Sequence, residues 1–190
     1  MSEAVSALAG SSAHGFVDVK EAGLVGMATI RGDYGDAEFR DKVATLLGLN
    51  VPDRRQMTTG DTEKLLWMSP DELLLVCPHG EADARVFALS AGLSGVHHLA
   101  VNVSDARAAF RVTGTASGVR EALAKLSPAD LRASVLPVGE VRRTRLAQVP
   151  AAIWLESEDR AMVVCFRSVA GYVFDLLTQA SKPGSEPRYF

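Results

Sequence analysis

The sequence predicts an α+β fold made of two similar units with antiparallel or mixed sheets, and three observations carry that prediction. The first is the stretch from Leu65 to Cys77, in which two apolar runs of strand length flank Ser69-Pro70-Asp71-Glu72. Pro70 presets φ for a type I turn and Asp71 can bond to the local backbone, so the segment should fold back as a hairpin. Leu73 to Val76 is apolar on both faces of a strand, which places it at the centre of a sheet with cover on both sides. Trp67 and Met68 are expected as ordinary core residues. The second observation is a repeated order of elements: strand, helix, two strands, helix, strand, and then strand, helix, two or three strands, helix. This is a duplication of about 80 residues, visible in element order rather than in residue identity. The third is length, since 190 residues suffice for one buried domain or for two small ones that gain by sharing a core.

Taken in order, residues 1–22 are small and polar and read as a flexible, extended N-terminal arm. Residues 23–180 should form a single compact duplicated domain, with halves of about 23–104 and 105–180, followed by a C-terminal tail at 181–190. Leu24 to Ile30 is the first strand, and Arg31-Gly32-Asp33 is read as a turn. Asp36 is a candidate N-cap for a helix that buries Phe39, Val43, Leu46 and Leu47 and stops at Gly48. The polar stretch from Asn50 to Glu63 should be a surface loop. After the hairpin, Val86, Leu89 and Leu93 mark a helix, and Val96 to Val103 a strand. The second half offers a strand at Ala106 to Val112, then a helix on Val119, Leu123 and Leu126. Ser127-Pro128-Ala129-Asp130 reads as the capped start of a short helix. Val141 to Val149, Ala151 to Leu155 and Met162 to Phe166 are strands, and Ser168 is expected to cap a last helix carrying Val169, Tyr172, Val173, Leu176 and Leu177 on one face.

Composition excludes several function classes. With 47% hydrophobic and 23% charged residues, the chain reads as an ordinary globular protein. A net charge of −3 lacks the basic footprint that sequence-independent phosphate binding needs, so nucleic acid is not an expected partner. No stretch approaches the roughly 20 apolar residues of a membrane helix, and Met1 to Gly15 has no positive leader. A cytoplasmic location is expected, with no membrane partner. Cys77 and Cys165 end apolar runs, as reduced, buried thiols do.

Few residues offer candidate chemistry. No glycine-rich phosphate loop and no Gly-Lys-Ser/Thr occur, so no nucleotide or flavin fingerprint is present. His97 and His98 are adjacent in an expected strand, where neighbours point to opposite faces. With no Cys-x-x-Cys pair, no metal site is assigned. Gly-x-Ser-x-Gly is absent, and the apolar setting of Cys165 quietens its thiol, so no catalytic residue is assigned. The exception to this blandness is Val141 to Val149, which carries Arg142, Arg143 and Arg145 and no acid. Alternation sends Arg143 and Arg145 to one face and Arg142 to the other. All three are candidates for docking a partner, because guanidinium groups hold carboxylates bidentately.

The residues also suggest a family. Leu66 to Leu75, Arg31-Gly32-Asp33, Val101-Asn102-Val103-Ser104-Asp105, Arg143-Thr144-Arg145-Leu146-Ala147-Gln148-Val149 and Phe166-Arg167-Ser168-Val169-Ala170-Gly171-Tyr172 occur in succession. In order and spacing they resemble the gamma subunit of heterotetrameric sarcosine oxidase, from about residue 20 to residue 181. The resemblance implies a ferredoxin-like, internally duplicated body akin to the folate-binding domain of the glycine-cleavage aminomethyltransferases. It implies a non-catalytic subunit whose partners are the alpha, beta and delta subunits. FAD, FMN, NAD, tetrahydrofolate and zinc would lie on those other subunits, with no cofactor on this chain. The complex oxidatively demethylates sarcosine to glycine. The alternative it suggests is a stand-alone folate-dependent one-carbon protein. Folate-binding relatives place an acid at the end of a strand resembling Arg142 to Gln148, and further acids leading into the hairpin. This chain has neutral Gln148 at the first place, and Glu63 followed by Lys64 at the second.

Overall fold

The computed structural model describes residues 3–190. In chain order the elements begin with β1 (Ser12–Ala13), β2 (Val17–Glu21), β3 (Val25–Gly32) and α1 (Ala37–Leu47). There follow β4 (Met57–Thr59), β5 (Lys64–Ser69), β6 (Glu72–Pro78), α2 (Ala82–Gly92) and β7 (His98–Asn102). The remainder comprises β8 (Arg107–Gly114), α3 (Ala116–Ala124), β9 (Val141–Leu146), β10 (Val149–Ser157), β11 (Arg160–Phe166) and α4 (Ala170–Ala180). The chain divides into two compact units, one of Val25–Asp105 and one in which the residues up to Leu24 join Ala106–Phe190.

In the Val25–Asp105 unit the strands run in the order β4-β5-β6-β3-β7, every neighbouring pair antiparallel. The hairpin expected at Ser69 to Glu72 is present: Leu65 pairs with Leu75, and Ser69 with Glu72 across Pro70-Asp71. β6 lies in the middle of the sheet, as its uninterrupted apolar run requires. Ala28, Ile30, Leu73 and Leu75 meet Phe39, Val43 and Leu89 from the two helices in one apolar core. Trp67 packs against that core while only half-buried. α1 ends as its caps dictate. The Asp36 carboxylate accepts from Glu38 N, and Gly48 takes the left-handed φ of 66° that closes the helix.

The other unit has strand order β1-β2-β8-β11-β10-β9, again antiparallel throughout. Its core sets Phe110, Val112, Ile153 and Val163 against Val119, Leu123, Val173 and Leu177 of α3 and α4. Superposing the two orders shows the duplication directly: β4-β5-β6-β3-β7 corresponds to β9-β10-β11-β8-β2. Each is the strand-helix-strand-strand-helix-strand arrangement of a ferredoxin-like fold, with one extra edge strand. In the second case, however, the last strand is not supplied from downstream. β2, from the chain's beginning, fills that place.

Several elements differ from those the sequence predicts. Residues 12–21, expected as part of a flexible arm, include β1 and β2, because Val17, Val19 and Glu21 alternate inward with Asp18 and Lys20 outward. The loop expected from Asn50 to Glu63 contains β4. Gly32 is a strand residue rather than a turn residue, because it pairs with His98 and donates its N–H to Asp71 O at 3.2 Å, and a Cβ there would stand 2.2 Å from Cζ of Phe39; the turn follows at Asp33, whose carboxylate accepts from Gly35 N. Ser127 does accept from Ala129 N, but no helix follows, since the Asp130 carboxylate is taken by the side chain and amide of Arg132. The strand expected over Val141 to Val149 breaks into β9 and β10 at Ala147, whose φ of 51° makes a tight turn. Ser168 lies within a 3-10 turn, Arg167–Val169, and α4 starts without a side-chain cap. The tail folds back, with Tyr189 N donating to the buried Glu121 carboxylate at 2.7 Å.

Candidate docking surface

β9 is an edge strand of its sheet. Its alternation buries Val141 and Leu146 at the ends and leaves Arg143 and Arg145 exposed on one face. Arg142 points to the other side, where its guanidinium donates to Glu140 and to the carbonyl of Val135. Both members of that ion pair are nearly buried, so Arg142 fastens the Val135 to Glu140 loop. The structure therefore brings two of the three candidate arginines together and separates the third.

Sheet register adds residues that sequence spacing could not. Arg145 stands opposite Pro150 on β10, and Ala151 pairs with Cys165 on β11, which sets Pro150 beside Phe166. Phe166 in turn pairs with Arg107 on β8. Because Ala108, Ala151 and Cys165 point into the helix-covered core, the row Arg145, Pro150, Phe166, Arg107 lies on the opposite face. The Arg107 guanidinium carbon sits 4.2 Å from the Phe166 ring centroid, a cation–π contact, and Phe166 remains 45% exposed. Exposed aromatic rings and arginines are enriched at protein-binding surfaces.

The other candidates are accounted for locally. Glu63, just before the hairpin, is buried and its Oε1 lies 2.6 Å from Nε of Arg85 on α2. Gln148 is exposed in the β9–β10 turn. His97 is exposed, and His98 places Nδ1 2.8 Å from the carbonyl oxygen of Val96. No group of three potential metal-ligating side chains occurs among the described residues. Cys77 and Cys165 are buried and unpaired. Burial pushes each thiol up to about 11, with Glu63 and Glu81 adding to the shift at Cys77, which disfavours the thiolate near neutral pH.

Comparison with known proteins gives the family and the fold. A family model described as sarcosine oxidase, gamma subunit family, matches residues 31–183. The chain belongs to this family. The sarcosine oxidase gamma subunit match takes in the hairpin, the arginine strand and the Phe166 to Tyr172 segment, and it leaves out β2. Among relatives, the chain is 29% identical over 186 residues to a sarcosine oxidase subunit gamma from Arthrobacter sp., covering 93% of this chain and 88% of that one. Its fold matches a chain of the heterotetrameric sarcosine oxidase from Corynebacterium sp. U-96, solved with pyrrole 2-carboxylate. The TM-score is 0.79 at 23% identity, over 90% of this chain and 87% of that one. It also matches the glycine cleavage aminomethyltransferase T from Bartonella henselae, with a TM-score of 0.60 at 17% identity. That match covers 86% of this chain and 45% of the other. The duplicated fold expected from element order is thus shared with both kinds of protein. No helix among the described residues is long and apolar enough to cross a membrane.

Proposed function

We propose that this chain is the non-catalytic gamma subunit of a heterotetrameric sarcosine oxidase, and that it joins the complex through Arg143 and Arg145 beside Phe166. The observation that carries the reading is the family match over residues 31–183, which spans both half-units and the arginine strand. In this reading the partners are the alpha, beta and delta subunits, which hold FAD, FMN, NAD, tetrahydrofolate and zinc. The whole complex converts sarcosine, oxygen and water to glycine, formaldehyde and hydrogen peroxide, or passes the carbon to tetrahydrofolate. The two unpaired cysteines suit a cytoplasmic setting.

The residues of this chain do not fit a pterin site of the kind its fold relatives suggest. Glu63 gives its carboxylate to Arg85, and Gln148 offers a neutral amide where a charged partner is needed. The stand-alone folate reading therefore has no observation in its favour. The contribution of this chain is mechanical. An arginine pair docked against carboxylates of a larger subunit loses water on assembly, and removing one arginine then strands a charge, costing about 2 to 5 kcal/mol of association.

The test is to co-express the chain, and its Arg143→Ala and Arg145→Ala variants, with the partner subunits. The unaltered chain should co-purify with a flavin-bearing complex that releases peroxide with sarcosine. Each variant should lower complex yield while leaving the urea midpoint of the lone chain unchanged. Stoichiometric flavin on the lone chain would overturn the subunit reading, and full assembly of the double variant at moderate salt would overturn the docking role of the arginines.

A further inference from the structure

The two sheets differ at one edge. In the unit that contains β8, the edge of β2 is covered by β1, which pairs Ser12 with Lys20 and Ala13 with Val19. The corresponding strand of the other unit is β7, and there the sheet stops. Register shows which backbone groups this leaves facing outward. Val103 N donates to Met27 O at 2.8 Å, and hydrogen-bonded pairs alternate with non-bonded ones in an antiparallel ladder. Val101 with Thr29 and Leu99 with Arg31 are therefore the bonded pairs. The N–H and C=O groups of His98, Ala100 and Asn102 turn away from β3, toward the open edge.

β7 also lacks the devices that protect an edge. β9 carries three arginines, and β4 and β1 have three and two residues. β7 reads His-Leu-Ala-Val-Asn over five residues, with no Lys, Arg, Asp, Glu or Pro to discourage pairing. Ala100 packs toward the helix-covered core, which leaves Leu99 and Val101 on the opposite face at 50% and 39% exposure. The far end of the strand is acidic, because Asp83 accepts from Nδ2 of Asn102 at 2.7 Å.

Building on the subunit reading above, we infer that β7 accepts an extended segment of a partner subunit as an added strand. The segment pairs with His98, Ala100 and Asn102 through its backbone. It lays apolar side chains, two residues apart, over Leu99 and Val101, and carries a basic residue toward Asp83. Backbone pairing supplies affinity in this mode and the alternate side chains supply selectivity. β1 on β2 shows that the duplicated unit accommodates such a strand.

Amide hydrogen exchange on the lone chain and on the assembled complex tests this. The amides of His98, Ala100 and Asn102 should slow by about a hundredfold on assembly, whereas those of Leu99 and Val101, already bonded to β3, should change little. Ala100→Pro removes one outward N–H without touching the β3 ladder, and should cut complex yield by about tenfold while sparing the fold of the lone chain. Should that variant not fold, exchange in the unaltered complex decides alone. Equal exchange of the three amides in chain and complex overturns the inference while leaving the subunit reading intact. Protection of the same amides in a self-dimer, seen by sedimentation, also overturns it by giving the edge to a second copy. Absence of any complex overturns the subunit reading and this inference with it.

Discussion

Glu21 tests how the chain's beginning is held. It is 2% exposed at the end of β2, and its carboxylate accepts from Ser6 Oγ at 2.8 Å, Leu8 N at 2.8 Å and Gly10 N at 2.6 Å. Ala9 and Gly10, with φ of 52° and 76°, curl the backbone so that the amides of Leu8 and Gly10 both face the carboxylate, as in an anion nest. Burial by itself would raise this carboxyl, but the bonds from Gly10, Leu8, Ser6 and Ala7 outweigh it and hold the pKa below the ordinary 4.5. Glu21→Gln replaces one acceptor oxygen with a donor aimed at donors. Hydrogen bonds to a charged group are worth about 1.5 to 3 kcal/mol each. Because the segment from Ser6 to Gly10 can lift into water and resolvate its amides, the loss should stop near the docking energy of that segment, about 2 to 4 kcal/mol. A group with a depressed folded pKa contributes fully above its unfolded value and loses its contribution as pH falls through the folded one. Urea midpoints of the native chain and the variant should therefore differ by a constant amount from pH 7 to 5. The gap should narrow below about pH 4.5. A gap under about 0.5 kcal/mol at pH 7, or one indifferent to acid, refutes the nest as a source of stability.

Two further perturbations probe the cores. Trp154, 1% exposed, should cost about 3 to 5 kcal/mol on change to alanine, whereas half-buried Trp67 should cost about 1 to 2 kcal/mol; equal denaturant shifts would contradict the assigned burial. Gly32→Ala should destabilise by about 1 to 3 kcal/mol through collision with Phe39, and Phe39→Leu in the same background should recover part of that loss in a double-mutant cycle. Additive losses would show that the two residues do not meet.

Local signals were the legible ones. The hairpin could be read because its turn residues and both apolar runs lie within thirteen positions, Leu65 to Cys77, and α1 because Asp36 and Gly48 punctuate a regular apolar face. β2 carries an equally regular alternation, but it follows a stretch rich in Ala, Ser and Gly, and its partner is β8, on the far side of an entire unit. The candidate row was half legible. Arg143 and Arg145 announce themselves by spacing, whereas Arg107 and Phe166 reach them only through three successive strand registers. Alternation already set Arg142 on the other face, but the sequence does not show that Glu140 and Val135 turn back toward it.

The placement of β2 explains why the beginning of the chain is tied so heavily. Val25–Asp105 is continuous, so its sheet forms from segments close in sequence. The other sheet cannot close until Arg107–Gly114 is available to pair with Val17–Glu21, and such long-range pairing incurs the loop entropy before its contacts form. Further attachments, some long-range and some local, add contacts that offset part of that cost. Phe16 N donates to Ser181 O at 2.8 Å, and Gly15 permits the approach, since a Cβ there would fall 1.9 Å from that same oxygen. Arg167 donates to Val5 O at 2.8 Å, and the amides of Leu8 and Gly10 close on Glu21. Residues 3–22, which by composition read as a flexible arm, therefore contain and hold the strand that completes a ferredoxin-like unit. Removing them would expose the β8 edge and the faces of Phe110 and Val112 that Val17 and Val19 now help to cover.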